Sequence, residues 1–479
     1  MQEANSDHTI IPPKLTNNPS WDVVVTETTP LLSFFNAQGG PNERWYEIQI
    51  DTTKTFDSLS IISYPRVPQN GDYVSDIKIN SDHALQDNTQ YYWRVRTVTP
   101  FGTSPWTVSR FYVNTSSDDH FMNMMRIPIH TVDVSGGYNA KNIIDYDDPG
   151  LVTFWQSPPP GEKHPWVMFD LGKPTTVCRF WILSTPDNPD GWLKDFIFHK
   201  SMDGVHWEPV QDSAVKDNDT FRNIINVTPF EARYVRLSIH DFIGYCAQLN
   251  EVILYTPGNP PIPDVPDSDY VLIIGNEHNG YTFTELADHV GYVMPNLKTI
   301  TIPYFEVSMN MLLALKHKPI AIILSGNNAD YPNLPMFEHN GEFELIRECD
   351  IPILGICAGH QFLAMAYGYT RARSMGYSDI TAIEPKRKWT HTKIIKQDPI
   401  FNGIKDTFIA PEIHGWAVVE PGEGFTVIAA SSYIQAVRHT KRTIYGKQFH
   451  AEITASYNHG TAFIKNFLEI AQKKHHSPA

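Results

Sequence analysis

The chain has 479 residues, 41% of them hydrophobic and 12% aromatic, with a formal net charge of −15. That composition supports packed cores rather than disorder, and the length calls for two to four domains. The acidic balance argues against nucleic acid or an anionic membrane as partner, and no apolar run approaches the roughly 20 residues of a membrane span. Four cysteines, Cys178, Cys246, Cys349 and Cys357, are too few for a disulfide scaffold and lack metal-ligand spacing. Spacing leaves open whether Cys178 and Cys246 are bonded or are two buried thiols. The polar start at residues 1–7, leading into Pro12-Pro13, contains no signal peptide and reads as a mature N-terminus or a trimmed boundary.

From residue 12 to 115 the chain shows short β-forming runs at 21–26, 45–50 and 91–98, with turn signals at Asn70-Gly71 and 101–106. A stretch of about 100 residues so patterned predicts a β-sandwich. Tyr91-Tyr92-Trp93-Arg94-Val95-Arg96, followed by Gly102-Thr103-Ser104-Pro105-Trp106, resembles fibronectin type III domains. The resemblance implies a spacer or adhesion module with Trp93 and Trp106 in its core.

A polar seam at 114–119 opens a second unit, residues 118–257. Its landmarks are Asn142-Ile143-Ile144-Asp145, Thr153-Phe154-Trp155 and the run from Trp166 to Gly172. Ser201-Met202-Asp203-Gly204-Val205-His206-Trp207, the run from Ala232 to Leu237, and Leu249-Asn250-Glu251-Val252 complete the series. In this order they resemble a discoidin, or coagulation-factor type C, domain. The resemblance implies a β jelly roll whose loops bind glycans, other proteins or lipid headgroups. It also implies a structural cation near Asp145 and Glu251, and oxygen ligands of this kind suit calcium. Trp155, Trp192 and Tyr245 are candidates for stacking on sugars, with core roles as the competing reading.

Five prolines between residues 256 and 267 predict an extended, semi-rigid linker, placed at 258–267 and expected to act as the main hinge. Beyond it, residues 268–472 alternate strand and helix patterns: strands at 270–275, 298–303, 320–325 and 351–356, helices at 283–293, 307–317 and 341–349. Such alternation predicts a doubly wound, mostly parallel α/β sheet, with ligands beyond the carboxyl ends of its strands.

At one such end the apolar run Ile351-Pro352-Ile353-Leu354-Gly355-Ile356 stops at Cys357, and a helical pattern starts at once and closes at Gly368. A cysteine there meets the positive end of a helix, which favours thiolate, and Gly355 and Gly359 permit a tight turn. This is the setting of an activated nucleophile. His450 ends the β-like run 443–449 and is the candidate base, with Glu452 two residues on to hold its tautomer.

Gly355-Ile356-Cys357-Ala358-Gly359-His360-Gln361, with Tyr445-Gly446-Lys447-Gln448-Phe449-His450-Ala451-Glu452 some ninety residues later, resembles the class I, or triad type, glutamine amidotransferases. The segments 322–328, 398–403 and 434–439, and His414, fit the same pattern. The resemblance implies that Cys357 attacks a glutamine side-chain amide, releasing ammonia and forming a γ-glutamyl thioester that water hydrolyses. His450 would move the proton and Glu452 would orient it. Backbone N–H groups at Gly326, Asn327 and Ala358 would form the oxyanion hole, Gln361 would line the glutamine pocket, and catalysis would need no cofactor. Two departures stand out: Ala451 replaces the usual proline, and Asn327-Asn328 replace Gly-Pro, adding bulk to the substrate pocket.

Three readings follow for this chain. It is a glutaminase-type amidotransferase with a separate acceptor enzyme, a stand-alone γ-glutamyl amide or peptide hydrolase tethered by its β-domains, or a non-catalytic carbohydrate- or surface-binding protein. The intact Cys357, His450 and Glu452 argue against the last. The adhesive β-domains imply a periplasmic, cell-surface or secreted location.

Overall fold

A computed structural model describes the chain except for residues 1–9, 11, 16–23, 26, 38–40, 42, 71–73, 88, 114, 116–123, 147–152, 159–163, 187, 281–283, 329–330, 369–379, 419–420, 454, 456–457 and 477–479. Trp21, Gly71, most of the polar seam at 114–119 and Phe283 therefore lie outside the described residues. Among those described, no helix is long and apolar enough to cross a membrane.

The N-terminal region is two β-sheets face to face. Leu31–Phe35 lies between Lys14–Leu15 and Val74–Lys78 in the smaller sheet. The larger runs Val24–Val25, Thr107–Val113, Thr89–Thr99, Trp45–Asp51 and Ile62–Pro68. Thr89–Thr99 alternates buried and half-exposed residues along most of its length, the period of a strand with one face in a core. Phe34 from one sheet meets Tyr46 from the other edge-to-face at 4.6 Å, and Trp93 is fully buried in the same core. Trp106 is instead half-buried, covered by the guanidinium groups of Arg94 and Arg96 at 4.3 Å.

The second region is built on two long antiparallel strands, Trp166–Leu183 and Arg222–Phe242. Their register shifts between Asp170 and Thr175, where Gly172 adopts a φ of 75°. The sheet continues through Leu193–Ser201 on one side and Glu251–Pro257, then Met124–Arg126, on the other. It encloses Trp155, Phe169, Phe180, Phe198, Leu237 and Leu254, with Phe180 stacked on Phe198 at 3.7 Å. Cys178 and Cys246 are both buried, and no disulfide joins them.

Among the described residues, the C-terminal region forms a nine-stranded sheet. Lys298–Pro303, Tyr270–Gly275, Ala321–Leu324, Ile353–Ile356 and Ile444–Lys447 are neighbours in that order and all parallel. Ile434–His439, Phe425–Ala430, Ile380–Ile394 and Thr407–Val418 extend it antiparallel. The sheet is thus mixed rather than mostly parallel, because hairpin-length connections after residue 380 replace the crossover helices that parallel pairing needs. Side chains of Tyr270–Gly275 alternate between two cores. Val271 and Ile273 pack with Leu286 and Phe463 from the helices Thr284–Val293 and Ala462–His476. Tyr270, Leu272 and Ile274 pack with Leu312, Leu345 and Phe362, from the helices Met309–Ala314, Asn340–Glu348 and Ala358–Gly368.

The linker does not separate independent bodies. Arg126, on the edge strand of the second region, enters the third and forms a bidentate pair with Glu338, at 2.7 Å from Nε and 2.6 Å from Nη2. Tyr255 and Tyr304 donate to the same carboxylate at 2.7 and 2.8 Å, and the His278 carbonyl accepts from Arg126 at 2.8 Å. Phe337 and Trp181 close the seam. Both charged side chains are almost wholly buried, at 8% and 3% exposure. A hinge at 258–267 is therefore not what this packing provides. Removing one partner of a buried pair strands the other charge, which costs about 3–5 kcal/mol. Glu338→Ala should destabilise the chain by about that much in denaturant unfolding, and a loss within ~0.5 kcal/mol would mean the seam is not closed in solution.

Candidate active site

Cys357 stands between the strand Ile353–Ile356 and the helix Ala358–Gly368. Its φ is +51°, a left-handed conformation that side chains other than glycine seldom adopt and that clusters at functional sites. Three close contacts hold it there. The Cys357 N–H donates to the Lys447 carbonyl of the neighbouring parallel strand at 2.8 Å. A β-carbon on Gly359 would come within 2.5 Å of the Leu324 carbonyl oxygen, and one on Gly355 would collide with the Gly359 carbonyl. Gly359 in turn donates to Ser325 at 3.1 Å.

His450 lies just past the end of Ile444–Lys447, the strand beside the nucleophile strand. Its Nδ1 is 2.6 Å from Glu452 Oε1. Burial by itself would lower the His450 pKa, but the charges of Glu452 and Cys357 outweigh it and hold the imidazole protonated up to about 10. Burial likewise disfavours the Glu452 carboxylate, but Lys447 and His450 together keep it well below the usual carboxylate range. Gly326 closes the site from the other side. A β-carbon there would lie 3.4 Å from His450 Cε1 and 3.5 Å from Cys357 Cβ, so this glycine faces both residues.

The loop carrying Gly326 is anchored from beneath. Ser325 Oγ donates to the Gly326 carbonyl at 2.9 Å and accepts from the Asn276 N–H at 2.9 Å. Asn276 Nδ2 reaches Ser325 O at 3.1 Å and Glu342 Oε1 at 3.2 Å, and Glu342 Oε2 faces His339 Nδ1 at 2.8 Å. Asn327 is half-buried and Asn328 exposed, its N–H donating to Glu277 at 3.3 Å.

The fold thus brings Cys357, Ala358, His450, Glu452, Gly326 and Asn327 to one end of the sheet. Gln361 sits one turn into the helix, and its polar atoms are engaged internally. Its Oε1 accepts from Tyr331, and its Nε2 donates to Trp416 O at 2.5 Å and Gln448 Oε1 at 3.1 Å. Gln448 Nε2 is 3.6 Å from the Cys357 sulfur.

Asp145 and Glu251 lie elsewhere, in the second region. Glu251 Oε2 is 3.8 Å from His278 Nε2 across the buried seam, and the other nitrogen of that imidazole is 3.5 Å from Arg126. Calcium takes about 6–8 oxygen ligands, and an imidazole backed by a guanidinium does not suit it. Among the described residues, the one group of three His, Cys, Asp or Glu side chains within 4.8 Å of one another is Asp269, His475 and His476. Of the aromatic candidates, Trp155 is a core residue donating to Gly136 O at 3.1 Å, Trp192 is half-buried, and Tyr245 is 65% exposed.

Residues 280–471 match the family model Glutamine amidotransferase class-I. A glutamine-hydrolyzing GMP synthase subunit of Methanosarcina barkeri is 33% identical over 164 residues, 33% of this chain and 77% of that protein. The chain belongs to the class I glutamine amidotransferases. Ahead of the amidotransferase domain, residues 128–252 match the F5/8 type C domain model. A solved structure from Thermoplasma acidophilum shares 21% identity at a TM-score of 0.37, covering 44% of this chain and 98% of its own. A Clostridium perfringens module solved with GalNAc-β-1,3-galactose shares 17% identity at a TM-score of 0.24, covering 27% of this chain and 99% of its own.

Two features of the amidotransferase site are absent from the sequence-based expectation. Lys447 is completely buried behind Glu452, and Gln448 borders the sulfur. A lysine inside a central strand buried on both faces was the available signal, since such a charge requires a partner.

The His450–Glu452 pair makes stability depend on pH. His450 binds its proton more tightly folded, at about 10, than at its ordinary 6.5. Its contribution is therefore complete below about pH 6.5 and is lost as pH rises toward about 10. Unfolding free energies measured stepwise across that window should fall more steeply for the native chain than for Glu452→Gln. Equal slopes would show that Glu452 does not hold the imidazolium.

Proposed function

We propose that the amidotransferase domain hydrolyses a γ-glutamyl amide through a covalent thioester, releasing ammonia or an amine. One observation carries the reading: Cys357, in a left-handed turn at a helix N-terminus, shares Gly326 as a neighbour with a His450 already oriented by Glu452. Cys357 Sγ attacks the amide carbon, and the oxygen takes up negative charge. Backbone N–H groups at Gly326 and Ala358 stabilise that charge, at about 3–4 kcal/mol per donor in comparable sites. His450, protonated through neutral pH, gives its proton to the departing nitrogen as the C–N bond breaks. Water then attacks the thioester with His450 as base, and glutamate leaves with the thiol restored.

Gln361, held by Tyr331, Trp416 and Gln448, is better suited to shaping the pocket wall than to meeting substrate as a free amide. The Asn327-Asn328 pair adds side chains at the rim of the Gly326 loop, which favours γ-glutamyl amides and peptides over free glutamine. The type C domain, with Tyr245 exposed, would place the enzyme against a glycan or another surface ligand at a cell-surface, periplasmic or secreted location. A second reading, ammonia delivery to a separate synthase, is favoured by the likeness to a glutamine-hydrolyzing GMP synthase subunit.

Steady-state release of glutamate and ammonia from glutamine, γ-glutamyl amides and γ-glutamyl peptides, with no added protein, tests the proposal. We expect turnover of γ-glutamyl compounds ahead of glutamine, and a loss of at least about 10³-fold in Cys357→Ala. Turnover of glutamine alone, or only when a synthase is supplied, would favour the second reading. Equal activity in Cys357→Ala would sink both.

A further inference from the structure

Lys447 is the last residue of Ile444–Lys447, a strand whose four residues are all buried. Its Nζ lies 3.1 Å from Glu452 Oε2 and 2.9 Å from the Phe449 carbonyl. A buried ammonium is costly unless paired, so its presence beside a catalytic carboxylate calls for a purpose beyond packing. The two oxygens of Glu452 are divided: Oε1 to His450 at 2.6 Å, Oε2 to Lys447. The main chain of the same lysine accepts the Cys357 N–H at 2.8 Å, so one residue fixes both the nucleophile's backbone and the carboxylate behind the base.

We propose that Lys447 is a positioning residue of the catalytic centre, its ammonium clamping Glu452 Oε2 so that Oε1 keeps His450 aimed at Cys357. This deepens, and rests on, the functional reading given above. The other groups facing Lys447 fit the role. Burial, with Lys447 adding to it, lowers the His289 pKa on the helix Thr284–Val293. His360, on the nucleophile helix, is held down to about 3 by burial, with His414 and Lys447 contributing. Both imidazoles are neutral, which leaves Glu452 and the Cys357 sulfur as the acids that feel the ammonium. Removing a cation raises the proton affinity of nearby acids. Loss of Lys447 should therefore leave Glu452 a weaker anchor and make the thiolate harder to form.

Alkylation of Cys357 by iodoacetamide in the full chain, followed by mass spectrometry across a pH series, reads this without any substrate. In Lys447→Met the pH of half-maximal alkylation should rise by about one unit, an approximately tenfold slower reaction on the acid side. Lys447→Arg, which keeps the charge, should move it less. In a Glu452→Gln background, Lys447→Met should shift the profile by clearly less than it does alone, because the lysine acts through the carboxylate. An unchanged profile in folded Lys447→Met, or the same shift with and without Glu452, overturns the proposal. Should Lys447→Met fail to fold, Lys447→Gln replaces it in the same comparison. Expected shifts in a chain that hydrolyses no γ-glutamyl compound would sink the functional reading and leave the positioning role standing.

Discussion

Two parallel strands, Ile353–Ile356 and Ile444–Lys447, meet in register with Ile356 opposite Lys447. The rest of the catalytic end depends on that pairing. Cys357 and His450 are separated by more than ninety residues of sequence, yet each lies just past the end of one of these strands. The hydrogen bond from the Cys357 N–H to the Lys447 carbonyl continues the ladder one step beyond the nucleophile strand and holds the cysteine in its left-handed turn. A slip of one residue would turn every side chain of the strand to the opposite face. Register is specified strongly here because both strands are buried on both faces.

The charges gathered around Glu452 follow from the same placement. In water, an imidazole, a carboxylate and an ammonium a few ångströms apart interact weakly, since the solvent screens them. Enclosed under the sheet edge they decide one another's protonation, and burial opposes each charge taken alone. The group is stable in its charged form because the charges alternate in sign from Lys447 to Glu452 to His450, with the Cys357 sulfur next. Any one of them removed leaves its neighbour buried without an answer.

The candidate site was legible in the sequence because its signals are local. A strand-to-helix change at a cysteine and a His-x-Glu after a β-like run are each visible within a dozen residues. The seam between domains was not, because Arg126 and Glu338 are about 210 residues apart and neither has a local signature. Proline content pointed to an extended connection but said nothing about whether the regions it joins would pack. The same blindness applies to Glu251. Its spacing suits a loop carboxylate of a β jelly roll, whereas its neighbour in space is His278 from another domain. The mixed sheet was misjudged because the antiparallel strands beyond residue 380 lack the helical intervals that made the first four strands readable.

The seam and the catalytic loop share a wall. Glu338, which anchors Arg126, is followed at once by His339, whose ring stacks on Tyr304 at 4.0 Å and whose Nδ1 meets Glu342. Glu342 bonds Asn276, and Asn276 bonds Ser325, the residue before Gly326. Asn276, Glu277 and His278 form one short segment after the first strand of the amidotransferase domain. Its first two residues hold the Gly326–Asn328 loop, and its third supplies a carbonyl to Arg126 from the type C domain. A contiguous run of bonds is not a switch, since coupling in that sense needs a second arrangement that both ends favour differently. It does fix position. Oxyanion donors tolerate little misplacement, because their value falls off steeply with distance from the developing charge. Docking of the type C domain therefore bears on the construction of the candidate site, and the β-domain is a structural part of the chain's third region as well as its neighbour.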